Sequence, residues 1–133
     1  MGKKTRKELQ TVEAFEKALR EEMEISSEFD LPLTVLALVI EGGWQEEDTR
    51  RALDALRTAD LVARPDPREL LIALPNTITA DARVVEERLR RAVSKATLGV
   101  APCKQGETAE GLLKRAQAVA WRAAENPPEA TSC

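Results

Sequence analysis

The sequence has no histidine, no tyrosine and few aromatic residues, which make up 3% of its 133 residues. Without histidine, the chain lacks the commonest general base and a common metal ligand. Because two Phe and two Trp cannot fill a core, Leu, Val, Ala and Ile must form most of it. The two cysteines, Cys103 and Cys133, are isolated, which indicates a reducing compartment rather than a disulfide scaffold.

Long apolar runs and a basic excess are also missing. No segment has the length of a membrane span, and the basic start is not followed by the apolar stretch of a signal peptide, so we expect a cytoplasmic protein without a membrane partner. The net charge of −3 and the pI near 5.2 argue against nucleic-acid binding, which needs a basic face. We assign a single domain to residues 1–126 and a flexible C-terminal tail to residues 127–133.

Hydrophobic periodicity predicts four helices and four strands. The predicted helices are 7–27, 46–57, 79–93 and 108–124, and the predicted strands are 33–40, 61–64, 69–74 and 97–101. A turn at Pro65 to Pro67 is expected to join the second and third strands in a hairpin. This order predicts an α/β fold whose mixed or largely antiparallel sheet is covered by helices.

Several short sequences in this chain occur in the order of a known family. A strand ends Val62-Ala63-Arg64, residues 66–70 form a hairpin, and the apolar strand that follows ends in Pro75. Further on, residues 97–101 read Thr-Leu-Gly-Val-Ala. Together these resemble the GGDEF domain, the diguanylate cyclase module, whose hairpin reads Gly-Gly-Asp/Glu-Glu-Phe. The resemblance covers most of the chain and implies a nucleotidyl-cyclase-like α/β fold.

The departures from the family fall on its chemistry. Diguanylate cyclases join two GTP molecules with metal ions that carboxylates hold. Val39 and Arg68 stand where the family has acidic metal ligands, and Asp66 and Pro67 replace the two glycines. The acids that remain at family positions are Glu41 and Glu69. The resemblance therefore implies that cyclase activity is lost, with no catalytic residue, metal site or cofactor.

An Arg-x-x-Asp pair, Arg57 and Asp60, stands at the family's spacing before the hairpin. It resembles the start of the inhibitory site, which binds the product cyclic di-GMP, and Arg88 matches a second Arg of that site. Arg presents a planar fork to phosphate or guanine, and Asp accepts from guanine N–H groups. The resemblance implies a cyclic di-GMP receptor with Arg57, Asp60 and Arg88 as ligand-binding residues. Since the family often binds this ligand as an intercalated dimer, ligand-promoted homodimerisation and signalling through a protein partner are expected.

The same residues also have an interpretation without a ligand. Arg51, Asp54, Arg57 and Asp60 follow one another at three-residue steps. On an exposed helix such a ladder of ion pairs stabilises the helix by about 0.2–0.5 kcal/mol per pair. The chain is then a ligand-independent interaction or dimerisation scaffold. A third hypothesis, a residual synthase or a GTP-binding regulator, is disfavoured by Val39 and Arg68.

Both tryptophans and the hairpin are open to two interpretations. Trp44 either stacks on a purine or caps the core where the family's segment is missing, and we favour the cap. Trp121 is expected in the core or at an interface. The charged hairpin residues form either a partner surface or a solvated turn.

Overall fold

The computed structural model describes residues 7–125, and the predicted α/β fold is confirmed. The elements are α1 (Val12–Phe29), β1 (Leu33–Val39), α2 (Glu46–Asp54), β2 (Leu61–Asp66), β3 (Glu69–Pro75), α3 (Thr79–Ala92), β4 (Thr97–Pro102) and α4 (Ala109–Glu125). The expected tail and Cys133 lie outside the described residues. Within residues 7–125, no helix combines the length and the apolar character that a bilayer crossing requires.

The four strands form one sheet in the order β2-β3-β1-β4, and each neighbouring pair is antiparallel. All seven residues of β1 are buried, because helices cover both faces of the sheet. Leu36 and Leu38 pack with α2 and α3 on one face, whereas Leu33 and Val35 pack with α1 and α4 on the other. A strand buried on both faces has a continuous apolar sequence, which is why β1 was recognisable.

Gly99 sets how closely α4 packs on β4. A Cβ atom at this position would lie 2.3 Å from the Ala116 carbonyl oxygen and 2.5 Å from the Ala120 amide nitrogen. The backbone of α4 therefore rests directly on the strand, and only glycine fits between them.

The predicted start of the first helix, at Lys7, is wrong. Thr11 caps α1, since its side-chain oxygen accepts a hydrogen bond from the Ala14 amide at 3.0 Å. Ahead of this cap, Gln10 forms a parallel bridge to Ala63, and its amide donates to the Val62 carbonyl at 2.9 Å. The chain before α1 therefore pairs with the edge of β2 instead of continuing the helix.

Two other predicted boundaries also differ from the structure. The second helix ends at Asp54 rather than Arg57, with Ala55 as its C-cap. β2 continues through Pro65 to Asp66, so the tight turn lies at residues 67 and 68 instead of 65–67. Proline is tolerated here because β2 is an outer strand and its register shifts between Ala63 and Asp66.

Candidate functional site

The predicted site residues lie at one end of the sheet and the altered hairpin lies at the other. The turn that holds Arg57 and Asp60 leads into β2, and the segment after β3, with Thr77, lies beside it. We call this end, defined by Arg57, Asp60 and Thr77, the Arg57 corner. The hairpin end is defined by Trp44, Arg68 and Glu69, where β1 finishes and β3 begins. Any ligand at the Arg57 corner is therefore remote from the hairpin.

Asp60 fixes the Arg57 corner from inside the protein. Its side chain is fully buried, and its Oδ2 accepts a hydrogen bond from the Arg57 amide at 2.8 Å. Its Oδ1 accepts from Arg57 Nη2 at 2.8 Å and from Nε at 3.2 Å. Charge-assisted bonds of this kind are among the stronger ones in proteins. Asp60 thus closes the turn and orients the guanidinium.

Thr77 holds the other side of the Arg57 guanidinium. Arg57 Nη2 donates to the Thr77 hydroxyl at 2.7 Å, and that hydroxyl donates to the Pro75 carbonyl at 2.8 Å. The Thr77 carbonyl in turn accepts from the Thr34 hydroxyl of β1 at 3.1 Å. The guanidinium is therefore tied to the ends of β1 and β3, although its side chain remains 48% exposed.

The helical ladder expected from the three-residue spacing does not form on one helix. Arg57 and Asp60 lie beyond α2, which ends at Asp54. Within α2, Arg51 pairs with Glu47 at 2.8 Å, one helical turn earlier. Arg57 and Asp60 therefore do pair, but inside a turn anchored to the sheet.

Arg88, on α3, contacts the end of α2 and not the residues that define the Arg57 corner. Its Nη1 donates to the carbonyl of Ala55, the C-cap of α2, at 3.3 Å. Arg88 also lines an open depression of about 420 Å³ whose walls are α3 side chains. The fold thus brings Arg88 to the segment that leads into Arg57, while the depression it lines belongs to α3.

Lys7 binds the turn that holds Arg57 and Asp60, a contact that the sequence did not indicate. Its ammonium donates to the Thr58 carbonyl at 2.8 Å and to the Asp60 carbonyl. Burial lowers the pKa of Lys7, and the nearby Asp60 carboxylate opposes that shift. The Lys7 carbonyl accepts from Arg50 Nη2 at 2.6 Å. Thr11, a good cap residue, was the available signal that residues 7–10 lie outside the helix.

At the hairpin end, Arg68 is held by contacts within the protein. Its amide donates to Asp66 Oδ1 at 2.8 Å, and its guanidinium lies 4.8 Å from the centroid of the Trp121 ring. An Arg over a Trp face is a favourable cation–π arrangement. The hairpin therefore contacts α4 through Arg68 in addition to facing solvent. Trp121 is partly buried against the core, as expected.

Glu69 is a buried acid whose oxygens are both used within the fold. Its Oε1 accepts from Gln117 Nε2 at 3.1 Å and its Oε2 accepts from Trp121 Nε1 at 3.2 Å. Its neighbour across the sheet is the buried Val39. Among residues 7–125, no group of three or more acidic or cysteine side chains is arranged to hold a metal ion.

Trp44 caps the core at the hairpin end, as favoured from the sequence. Its side chain is buried in the same cluster as Leu38 and Leu70, and its amide donates to the Pro67 carbonyl at 2.9 Å. Gly43 before it has φ of +98°, a conformation that glycine adopts without strain. The indole is therefore committed to packing, and its Nε1 finds no hydrogen-bond partner in the part of the chain that the structure describes.

Comparison with solved structures identifies the fold. The diguanylate cyclase SiaD of Pseudomonas aeruginosa, solved with its activator SiaC, superposes with a TM-score of 0.80 at 26% identity. The match covers 90% of this chain and 56% of the SiaD chain. The GGDEF domain of DgcB from Caulobacter crescentus, solved with c-di-GMP, gives 0.78 at 16% identity over 96% and 94% of the two chains. The fold is that of a GGDEF domain.

Further comparisons show how much of a diguanylate cyclase this chain covers. The active GGEEF domain of a Vibrio cholerae diguanylate cyclase matches with a TM-score of 0.75 at 14% identity, over 90% of this chain and 94% of that one. This chain therefore spans about the length of an isolated GGDEF domain and little more than half of SiaD. No family model and no curated protein matches the sequence.

Proposed function

We propose that this GGDEF-fold domain does not synthesise cyclic di-GMP but binds it at the Arg57 corner and signals through a protein partner. The observation that carries the proposal is the state of the Arg57 guanidinium. It is oriented by buried Asp60 and by Thr77, yet it remains half-exposed. A positioned, accessible guanidinium at a sheet end is suited to phosphate or to the guanine edge.

The unused donors of Arg57 fit such a ligand. A guanidinium has five N–H groups, and Nε and Nη2 account for three of them in the bonds to Asp60 and Thr77. Nη1 has no hydrogen-bond partner within residues 7–125. Two donors are thus available to a phosphate oxygen or to guanine O6 and N7 without breaking the bonds that hold the side chain.

The geometry favours different roles for the three residues taken from the resemblance. Asp60 has no exposed surface on its side chain, so a guanine N–H group reaches it only if the turn opens. We therefore assign ligand contact to Arg57 and Arg88, and positioning of Arg57 to Asp60. Arg88 would leave its 3.3 Å bond to the Ala55 carbonyl to approach a phosphate. An intercalated ligand dimer that engages two copies of this corner would promote homodimers.

The residues at the hairpin end support the proposed loss of cyclic di-GMP synthesis. The hairpin presents the Arg68 guanidinium, packed on Trp121, at the position of a family metal ligand. A fixed cation there opposes the binding of a divalent metal ion. Glu69 is already bonded to Gln117 and Trp121. We therefore expect that the protein, incubated with GTP and Mg²⁺, forms no cyclic di-GMP.

The test is calorimetric titration of the domain with cyclic di-GMP. We expect saturable binding that weakens as salt is raised, because arginine–phosphate contacts carry much of it. Arg57→Ala and Arg88→Ala should each weaken binding by about tenfold or more, as the loss of one charge-assisted contact implies. Arg51→Ala is the matched control, since this exposed arginine pairs with Glu47 on α2 and should leave binding unchanged.

A folded wild-type protein that gives no heat would overturn the receptor proposal. The alternative is then a ligand-independent interaction or dimerisation scaffold. It is favoured by one observation, that both Asp60 oxygens are satisfied within the protein. Equal loss of binding in Arg51→Ala and Arg57→Ala would instead indicate non-specific attraction of an anion.

A further inference from the structure

Exposed large apolar side chains concentrate where α1 ends. Ile25 is 42% exposed, Phe29 63%, Leu31 37% and Ile78 52%. We call these four residues the α1-end patch. In the rest of the described chain, the comparably exposed apolar residues, Val84 and Val119, stand on separate helices. Scattered exposed apolar residues are ordinary, whereas a cluster of them is typical of an interaction surface.

The members of the α1-end patch adjoin one another. Ile25 and Phe29 are four residues apart on α1 and so share one face of the helix. Ile25 and Leu31 line a small depression together. Leu31 and Ile78 line a larger groove of about 610 Å³, which Met23 and Cys103 also line. The groove has the size of sites that accept side chains or small ligands.

Acidic residues surround this patch. From residue 12 to residue 30 the chain has seven Asp or Glu and two Lys or Arg. Glu24 and Asp30 line the larger groove and Glu22 lines the smaller depression. Lys104 and Glu107 also line the groove, and Glu107 is paired with Arg115 at 2.6 Å. The surface around the apolar side chains is therefore mainly anionic.

Two of these acids stand where local structure disfavours them. The last turn of α1 has no basic residue and contains Glu28, although the negative end of the helix dipole favours cations. Asp30 adopts φ of +54° as the C-cap, a conformation for which glycine is the unstrained choice. Local choices that oppose stability are expected at functional sites. Here both add negative charge next to exposed apolar surface.

We infer that the α1-end patch docks a basic amphipathic segment of a partner protein. An apolar side chain of that segment would enter the groove beside Leu31 and Ile78, and its Lys or Arg residues would face Glu22, Glu24 and Asp30. Charge complementarity selects this occupant. A second copy of this chain in a two-fold contact would place the same acids against each other. An anionic membrane surface would be repelled.

The inference stands on residues other than those of the dinucleotide site. Glu24, Phe29 and Ile78 make no contact with Arg57, Asp60 or Arg88 that the structure shows, so docking is testable without nucleotide. A failure of cyclic di-GMP binding leaves this inference unaffected, and the reverse also holds.

The experiment titrates the purified domain into a fluorescein-labelled Leu/Lys amphipathic peptide and follows anisotropy. The peptide has about 18 residues, or roughly five helical turns. A Leu/Glu peptide of the same pattern is the charge control. We expect saturable binding of the Leu/Lys peptide, weakened by salt, and no binding of the Leu/Glu peptide.

Paired variants locate the binding. Ile25→Ser with Phe29→Ser should weaken binding by about tenfold or more, because the apolar anchor surface is lost. Val84→Ser with Val119→Ser is the matched control for apolar exposure and should leave binding unchanged. Circular dichroism melting verifies that each variant remains folded.

Charge variants complete the design. Glu24→Lys with Asp30→Lys should abolish binding, whereas Glu47→Lys with Glu87→Lys, exposed acids on α2 and α3, should preserve most of it. Equal weakening in both charge variants would refute the inference, because it would indicate attraction to net charge alone. Absence of binding, or a homodimer that dissociates in the Phe29→Ser protein, would also refute it.

Discussion

Replacing Asp60 by alanine tests whether a buried carboxylate holds the Arg57 corner. The side chain is fully buried and accepts the Arg57 amide and guanidinium, each at 2.8 Å. Hydrogen bonds to charged groups contribute about 1.5–3 kcal/mol each. Because the half-exposed guanidinium regains water when the carboxylate is removed, we expect Asp60→Ala to lower the free energy of unfolding by about 2–4 kcal/mol. Asp60→Asn retains an acceptor and should cost about half as much.

The assay is urea unfolding followed by far-ultraviolet circular dichroism. With a slope of about 2 kcal/mol per molar urea, the middle of the usual range, the expected loss lowers the midpoint by roughly 1–2 M. Glu87→Ala is the control, because the exposed Glu87–Arg91 pair should contribute about 0–1 kcal/mol. An Asp60→Ala protein within about 0.5 kcal/mol of wild type would refute the role given to this carboxylate.

Three further changes have expected outcomes. Gly99→Ala places a Cβ 2.3 Å from the Ala116 oxygen, so it should lower the free energy of unfolding by about 3 kcal/mol or more; an unchanged thermal midpoint would contradict the close packing of α4. The hydrogen bond from Arg115 lowers the pKa of Glu107 below its ordinary 4.5, so this ion pair stabilises the fold above that pH and the effect is lost as pH falls through the folded-state pKa. Wild type should therefore exceed Glu107→Gln in urea midpoint at pH 7, with a gap that closes as the pH falls through the lowered pKa of Glu107. Burial raises the pKa of Cys103, so its alkylation at pH 7 should be slower than that of a free thiol and should accelerate at higher pH, measured by mass spectrometry; a rate equal to that of a free thiol would contradict it.

The sequence predicted the order of elements because its strongest signals are local. β1 is a run of buried apolar residues, and α4 has apolar residues at helical spacing, so both were assigned correctly. The errors fall where tertiary contacts override periodicity. Residues 7–10 fit a helical pattern, but Gln10 pairs with Ala63 across 53 positions of sequence. Leu56 continues the pattern of α2, yet the helix ends at Asp54 and the chain turns there around Asp60.

The contact between Arg57 and Asp60 was predictable from the sequence, whereas a ligand-binding role for them stays a prediction. The spacing of Arg57 and Asp60 indicated an ion pair, which the structure has, while Arg88 contacts the Ala55 carbonyl and its place in a ligand site stays a prediction. The sequence did not indicate that Asp60 is buried, because a carboxylate in a charged stretch is usually exposed. Its burial is what limits the access of a ligand. Thr77 lies 20 positions from Arg57, whose guanidinium it binds, and Lys7 lies 51 positions from Thr58, whose carbonyl accepts from it; nothing local in the sequence indicates either contact.

The two tryptophans determine what optical spectroscopy of this protein reports. Both contact the hairpin: the Trp44 backbone amide donates a hydrogen bond to the Pro67 carbonyl, and the Arg68 guanidinium lies over the Trp121 ring. The chain has no tyrosine and its two phenylalanines emit weakly, so its ultraviolet emission comes almost entirely from these two indoles. We therefore expect a change near the hairpin or in the core around Trp44 to alter the emission, and a ligand at the proposed Arg57 corner, at the other end of the sheet, to change it little. If cyclic di-GMP binds at the proposed corner, calorimetric titration and tryptophan emission consequently report on opposite ends of the same sheet.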